Sequence, residues 1–381
     1  MTPDHPAPAP GADPNRTAAP ASGAAAGPGA DADPAAGTGG SADADPAADP
    51  SGAAGDAAWL LLCDRSPALR ARVLGELLGV PEDDPERADL LARSAVDPET
   101  RDLLATEPAD FPHLCLLLCR LGHLGLDRAH PRVAELAERV FAAQRPDGAF
   151  PLDLFRTDDR YTMIPLQASV PLRALALVGA ATDPRAERAY AWLLDQRNPD
   201  GSWPTGLVAG QPGGVPGYRK LPGSPGCRAN TQAALAALAL HPGRATSEPS
   251  RRAVDLLLRR ETRDEWALGT ETARLHGRER AAGFISLYAR FDLAFVLDLA
   301  SRTGISPRDA RIADLVDFLT GLRGPAGLWE HPVHPELGRW LTLGLLTSLR
   351  RLRAADADGA GWTGEGPRLA FRPHDVRLSH H

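Results

Sequence analysis

The chain has 381 residues with 42 basic and 49 acidic side chains, and 43% of its residues are hydrophobic. Residues 1–58 hold eight Asp against one Arg, so the remainder balances at 41 basic and 41 acidic groups. A neutral body behind an acidic extension gives no electrostatic pull on nucleic acid, and no apolar run reaches the roughly 20 residues that a membrane helix needs.

Residues 1–58 are almost wholly Ala, Pro, Gly, Asp, Ser and Thr, with no large apolar side chain after Met1. Such a stretch cannot bury enough surface to offset ordering entropy, which predicts a disordered acidic tail. It has neither the basic start nor the apolar stretch of a secretory signal, so the expected location is cytoplasmic.

Beyond the tail, a capping side chain precedes proline at Ser66-Pro67, Asp84-Pro85, Asp97-Pro98, Asp183-Pro184 and Ser306-Pro307. The side-chain oxygen accepts a first-turn N–H, and proline at the first helical position gives up a donor that would be unpaired anyway. Apolar residues then recur at helical spacing, as at Val133, Leu136, Val140 and Phe141. The pattern predicts helices near 57–63, 67–78, 85–95, 98–106, 111–124, 131–144, 163–178, 184–197, 228–240, 249–260, 284–302, 307–322 and 338–353. No sustained period-2 run competes, so the fold class is all-α. The first four helices are short and fit a HEAT-like packing layer. The expected organisation is a tail at 1–58, a helical body at 59–353 and a polar C-terminal tail at 354–381. Cys115 and Cys119 share a helix face; with Cys63 and Cys227 they read as reduced thiols, and no metal or cofactor is expected.

Two stretches nearly repeat: Gln144-Arg-Pro-Asp147-Gly148-Ala-Phe150 and Gln196-Arg-Asn-Pro-Asp200-Gly201-Ser-Trp203. A degraded third copy ends in Gly327-Leu-Trp329. Recurrence at this period marks a stacked supersecondary unit. The glycines suit a left-handed turn position, the aromatics pin the turn on helix ends, and Gln144 and Gln196 are placed to satisfy free backbone groups. These Gln–Asp-Gly–aromatic turns between helical hairpins resemble the repeats of the squalene cyclase and protein prenyltransferase β-subunit superfamily. The resemblance covers roughly residues 59–353 and implies an α/α toroid around a central cavity.

What it implies for function is a terpenoid cyclase-like or prenyltransferase-like toroid. Its partner would be a hydrophobic small molecule, with a prenyl diphosphate as one form. The family's catalytic motifs are missing: the body has no Asp-x-Asp-Asp, and Pro225 stands where a zinc ligand would precede Cys227. A non-catalytic binding or scaffold toroid is a second reading. A carbohydrate-active α/α barrel is a third, with Asp159 paired to Glu330 or Asp292 across a cleft.

Candidate site residues are polar groups entering inner helices. Asp158 and Asp159 form a carboxylate pair that can share a proton and act as an acid, with a solvated capping loop as the plain alternative. Tyr161 lies beside them. Arg228 and Asn230 follow a long Gly/Pro loop at a helix start, where an anion or an ordinary cap fits. Phe284, Tyr288, Phe291 and Phe295 form a stripe on the helix expected at 284–302, read as core or as cavity wall, with Arg290 and Asp292 at its edge. Arg339 and Trp340 open the last helix and complete the ligand-binding candidates.

Overall fold

The computed structural model describes residues 57–151, 166–205, 207–208, 211–212, 220–260, 265–278 and 292–366. The chain divides into Met1–Ala48 and Asp49–His381, and every described residue belongs to the second unit. Most of the acidic tail lies outside the described residues, but Ala57 and Ala58 are already helical and buried.

The described residues form an all-α body. Its helices are α1 (57–62), α2 (Pro67–Arg72), α3 (Pro85–Val96), α4 (Pro98–Ala105), α5 (Phe111–His123), α6 (Pro131–Ala142) and α7 (Leu166–Leu177). There follow α8 (Pro184–Asp195), α9 (Arg228–Leu238), α10 (Glu248–Leu258), α11 (Thr270–Leu275), α12 (Leu293–Arg302), α13 (Ala310–Gly321) and α14 (Gly338–Ala357). Extended pairing among the described residues is confined to Leu207–Val208 with Gln211–Pro212 and two single bridges. No described helix is long and apolar enough to cross a membrane.

Ser66, Asp84, Asp97 and Asp183 accept first-turn N–H groups with proline just inside the helix. Elsewhere the boundaries differ from expectation. The helix after Ser306 starts three residues late, because the Asp309 carboxylate caps it and Ser306 closes a local turn to the Arg308 N–H. The helix expected at 67–78 turns from α to π at Val73–Leu77. The helix expected at 284–302 does not run through Asp292, which is extended at φ −69° and ψ 98° and caps α12 from outside. Of the aromatic stripe, Phe295 is on α12, and Phe284, Tyr288 and Phe291 lie outside the described residues.

Neighbour contacts follow one another without a free end. They run from α5 to α7, α9, α10, α12, α14, the π segment, α2, α3, α4 and back to α5. Helices α6, α8 and α13 back α5, α7 and α12. One apolar core threads this circuit, and a small satellite of Ala71, Leu74 and Leu90 lies under α2 and α3.

The three recurrent turns share one hydrogen-bond scheme. Gly148, Gly201 and Gly327 have φ of 93°, 89° and 75°. Their N–H groups donate three residues back, to Arg145, Asn198 and Gly324. The Trp203 and Trp329 indoles donate to Leu193 O and Leu319 O, and their backbone N–H groups donate to Thr231 and Thr342 on following helices. Gln144 donates to Gly148 O and Arg185 O. In the third copy Arg323 takes that place and donates to Gly327 O. Gln196 stands one position too early to do the same, because Asn198-Pro199 lengthens the second copy.

The last described residues form a strap. The Trp362 indole donates to Thr303 O, while Gly364 and Gly366 N–H donate to the carboxylates of Asp309 and Asp255. Arg311 joins those two carboxylates at 2.7 and 2.8 Å in a buried cluster between α10 and α13.

Two substitutions test the turns. A Cβ on Gly148 would stand 2.4 Å from the Arg188 carbonyl oxygen in a left-handed position, so Gly148→Ala destabilises by more than about 1 kcal/mol. Trp203 is fully buried, so Trp203→Ala costs about 3–5 kcal/mol in urea unfolding. Val96→Ala, at a side chain 65% exposed, stays within about 0.5 kcal/mol.

Candidate functional site

A cavity of about 390 Å³ is lined by helices of this circuit. Its wall is formed by the C-terminal turns of α5, α7 and α9, by α11, and by one side each of α12 and α14. Arg72 and Glu76 close it from α2 and the π segment.

The wall is ordered by ion pairs. On α12, Asp298 and Arg302 are one turn apart and pair at 2.9 Å; Arg351 of α14 reaches the other Asp298 oxygen at 2.8 Å. One carboxylate thus holds two guanidinium groups and ties two inner helices together. All three side chains keep about a quarter of their surface accessible, at 26%, 24% and 27%, because they face the cavity. Burial raises the Asp298 carboxyl, but Arg302 and Arg351 outweigh it and hold the group well below the usual carboxylate range. Beside them Arg72 grips Glu76 with two hydrogen bonds, at 2.6 and 3.2 Å. Burial opposes ionisation of Glu76 too, and Arg72 again prevails.

A third group lies at the start of α12. Glu271 on α11 pairs with Arg173 and, through both oxygens at 3.0 Å, with Arg274. Asp292 accepts N–H bonds from Ala294 and Phe295 of α12, and from Gly269 and Glu271 around the start of α11. A single carboxylate caps two helices. Burial lifts its pKa to about 6 despite the four donors, which favour the anion.

The other end of the cavity is aromatic. Trp340 lies on α14 about three turns before Arg351, roughly 16 Å along the axis. Its ring stands 4.9 Å from His123 and 4.7 Å from His276. Burial, then Arg72, depresses the His123 pKa well below its ordinary value; burial, then Arg120, brings that of His276 to about 4. Both rings are neutral at pH 7. Leu177, Leu275, Leu299 and Leu341 supply apolar wall between the two ends.

Of the residues singled out in the sequence, Asp292, Phe295 and Trp340 line this cavity. Arg228 donates to Leu257 O and Arg260 O at the end of α10, and Asn230 donates to Pro204 O. Arg339 makes a half-exposed pair with Asp64. Glu330 is exposed on the turn after Trp329 and is not among the residues lining this cavity. Asp158, Asp159, Tyr161, Tyr288 and Arg290 lie outside the described residues. Sequence reasoning passed over Arg72, Glu76, Arg173, Glu271, Asp298, Arg302 and Arg351. Arg173 and Asp298 had a usable signal, since each is a charge inside an otherwise apolar helix.

No protein-family model and no curated protein matches the chain. Among solved structures, a crystal structure of a protein from Actinoplanes is similar at a TM-score of 0.41 and 18% identity, over 80% of this chain and 100% of that one. The apo structure of the type II terpene cyclase MstE from Scytonema is similar at a TM-score of 0.28 and 14% identity, over 70% and 99% of the two chains. At these scores the fold rests on the helices and contacts themselves.

The Asp292 pKa predicts a pH signature. A carboxyl near 3.8 when unfolded and about 6 when folded stabilises the protein fully below pH 4 and loses that contribution as pH rises through 6. In denaturant titrations Asp292 alone contributes a decline of about 2–3 kcal/mol across that window, set against the rise from carboxylates that arginine holds low. Asp292→Asn is expected to remove the decline. An unchanged slope in the variant would show that the carboxyl ionises normally.

Proposed function

We propose that this chain is an α/α toroid of the terpenoid cyclase-like kind. Its central cavity binds an anionic amphiphile, with a prenyl diphosphate as the representative ligand. The unbroken circuit of helix contacts around one cavity supports the ring. The observation that carries the ligand class is the Arg302–Asp298–Arg351 group at one end and the Trp340 cluster at the other. Two guanidinium groups on one carboxylate leave a positive charge, and Arg302 and Arg351 each donate to Asp298 through only part of a five-donor fork. A phosphate oxygen is a natural partner for the remaining donors. The apolar wall and the aromatic end suit a hydrocarbon tail, and 390 Å³ lies within the usual range for a small-molecule pocket.

Binding is favoured over transformation by the state of the cavity carboxylates. Glu76, Glu271 and Asp298 are each held by arginine, and Asp292 by four backbone donors. A glycoside-cleaving site needs two carboxylates free to face the substrate from opposite sides. An alkene-protonating site needs an uncommitted acid. The described cavity carboxylates meet neither requirement.

Calorimetric titration with farnesyl diphosphate, farnesol and inorganic pyrophosphate tests the reading. Farnesyl diphosphate is expected to bind more tightly than either fragment, and less tightly as salt rises. Arg351→Gln is expected to weaken it about tenfold or more, since a charged hydrogen bond contributes roughly 1.5–3 kcal/mol. Farnesyl diphosphate that gives no heat and leaves the melting temperature unmoved at millimolar concentration overturns the proposal.

A further inference from the structure

A second, polar pocket of about 150 Å³ lies between α2–α4 and the start of α14, and Trp340 lines both it and the central cavity. His123 lines the cavity, and His276 lines the polar pocket. The two imidazoles meet edge-on at 5.2 Å, and the indole lies against both. The partition between the two spaces therefore includes three rings.

These rings carry polar atoms without partners. The indoles of Trp203, Trp329 and Trp362 each donate to a backbone carbonyl, whereas that of Trp340 makes no hydrogen bond among the described residues. The Nε2 atoms of His123 and His276 are buried without a hydrogen-bond partner. His123 is held from its other side, where Arg72 stands 3.0 Å from Nδ1. An arginine can only donate, so Nδ1 accepts and Nε2 carries the proton. His276 has only Glu99 at 4.0 Å from Nδ1, beyond hydrogen-bond range.

Two energies of similar size oppose each other here. Ring contacts and burial of the indole favour the closed partition. Two polar atoms sealed without partners favour opening, because water from the polar pocket would then reach them. We propose that Trp340 is a gate between the polar pocket and the central cavity, closed in this structure and opened by rotation of the indole away from His123 and His276. An apolar ligand tail that packs on Trp340 biases the gate shut and keeps water from the cavity. This last step rests on the proposed ligand; the gate itself does not.

The test uses the full chain labelled with 5-fluorotryptophan, which gives seven fluorine signals. The Trp340 signal is assigned by its loss in Trp340→Phe. In the free protein it is expected to shift between H2O and D2O, whereas the signals of the sealed Trp203 and Trp329 do not. His276→Phe keeps a ring in the partition and removes one unpartnered nitrogen, so it is expected to cut the Trp340 solvent shift about threefold or more, a change of roughly 0.7 kcal/mol in the opening equilibrium. Farnesyl diphosphate is expected to cut it in the same direction. A Trp340 signal as insensitive to solvent as that of Trp203 in the free wild-type protein overturns the gate, and needs no variant that might unfold. A solvent-sensitive Trp340 that farnesyl diphosphate leaves unchanged, in a titration that shows no binding, overturns the ligand reading and leaves the gate standing.

Discussion

One carboxylate between two guanidinium groups governs the interior of this protein. Asp298 draws Arg302 from its own helix and Arg351 from α14, and so sets how two inner helices face each other. Three such charges would be expensive to remove from water without mutual pairing. Here they are paired and still open to the cavity, which lowers the desolvation penalty.

The rest of the wall shows the same economy of polar groups. Asp292 receives four N–H donors from two helix starts, and Glu271 is matched by arginine on α7 and α11. Ion pairs, capped helix ends and apolar side chains alternate around the space. The aromatic end departs from this pattern, because Nε2 of His123 and Nε2 of His276 are buried without a hydrogen-bond partner among the described residues. That contrast is the basis of the gate proposed at Trp340.

Much of the scaffold is legible from local chemistry. Asp or Ser before proline marks four helix starts at the right residue, since cap and proline act within one turn. The same signal misleads at Ser306-Pro307, where Asp309 binds the first turn more strongly through a carboxylate also paired with Arg311. The short helix α11 leaves little trace in the sequence, because its start is capped by Asp292 from beyond its own end. The candidate site is harder to read for a related reason. With one lysine and 41 arginines in the chain, arginine identity carries little information; only the pairing of Arg302 with Arg351 across two helices distinguishes them. Trp340 was accessible to sequence reasoning as an aromatic at a helix entry, but its two histidine neighbours come from α5 and the end of α11.

The C-terminal strap bears on how the molecule is made. The N–H of Gly366 completes the hydrogen bonding of Asp255, a residue 111 positions earlier, and Gly364 does the same for Asp309. During synthesis α10 and α13 leave the ribosome before the segment that finishes the ion cluster between them. Its polar groups must be served by solvent until residues 364–366 have followed, and only then can that seam become dry.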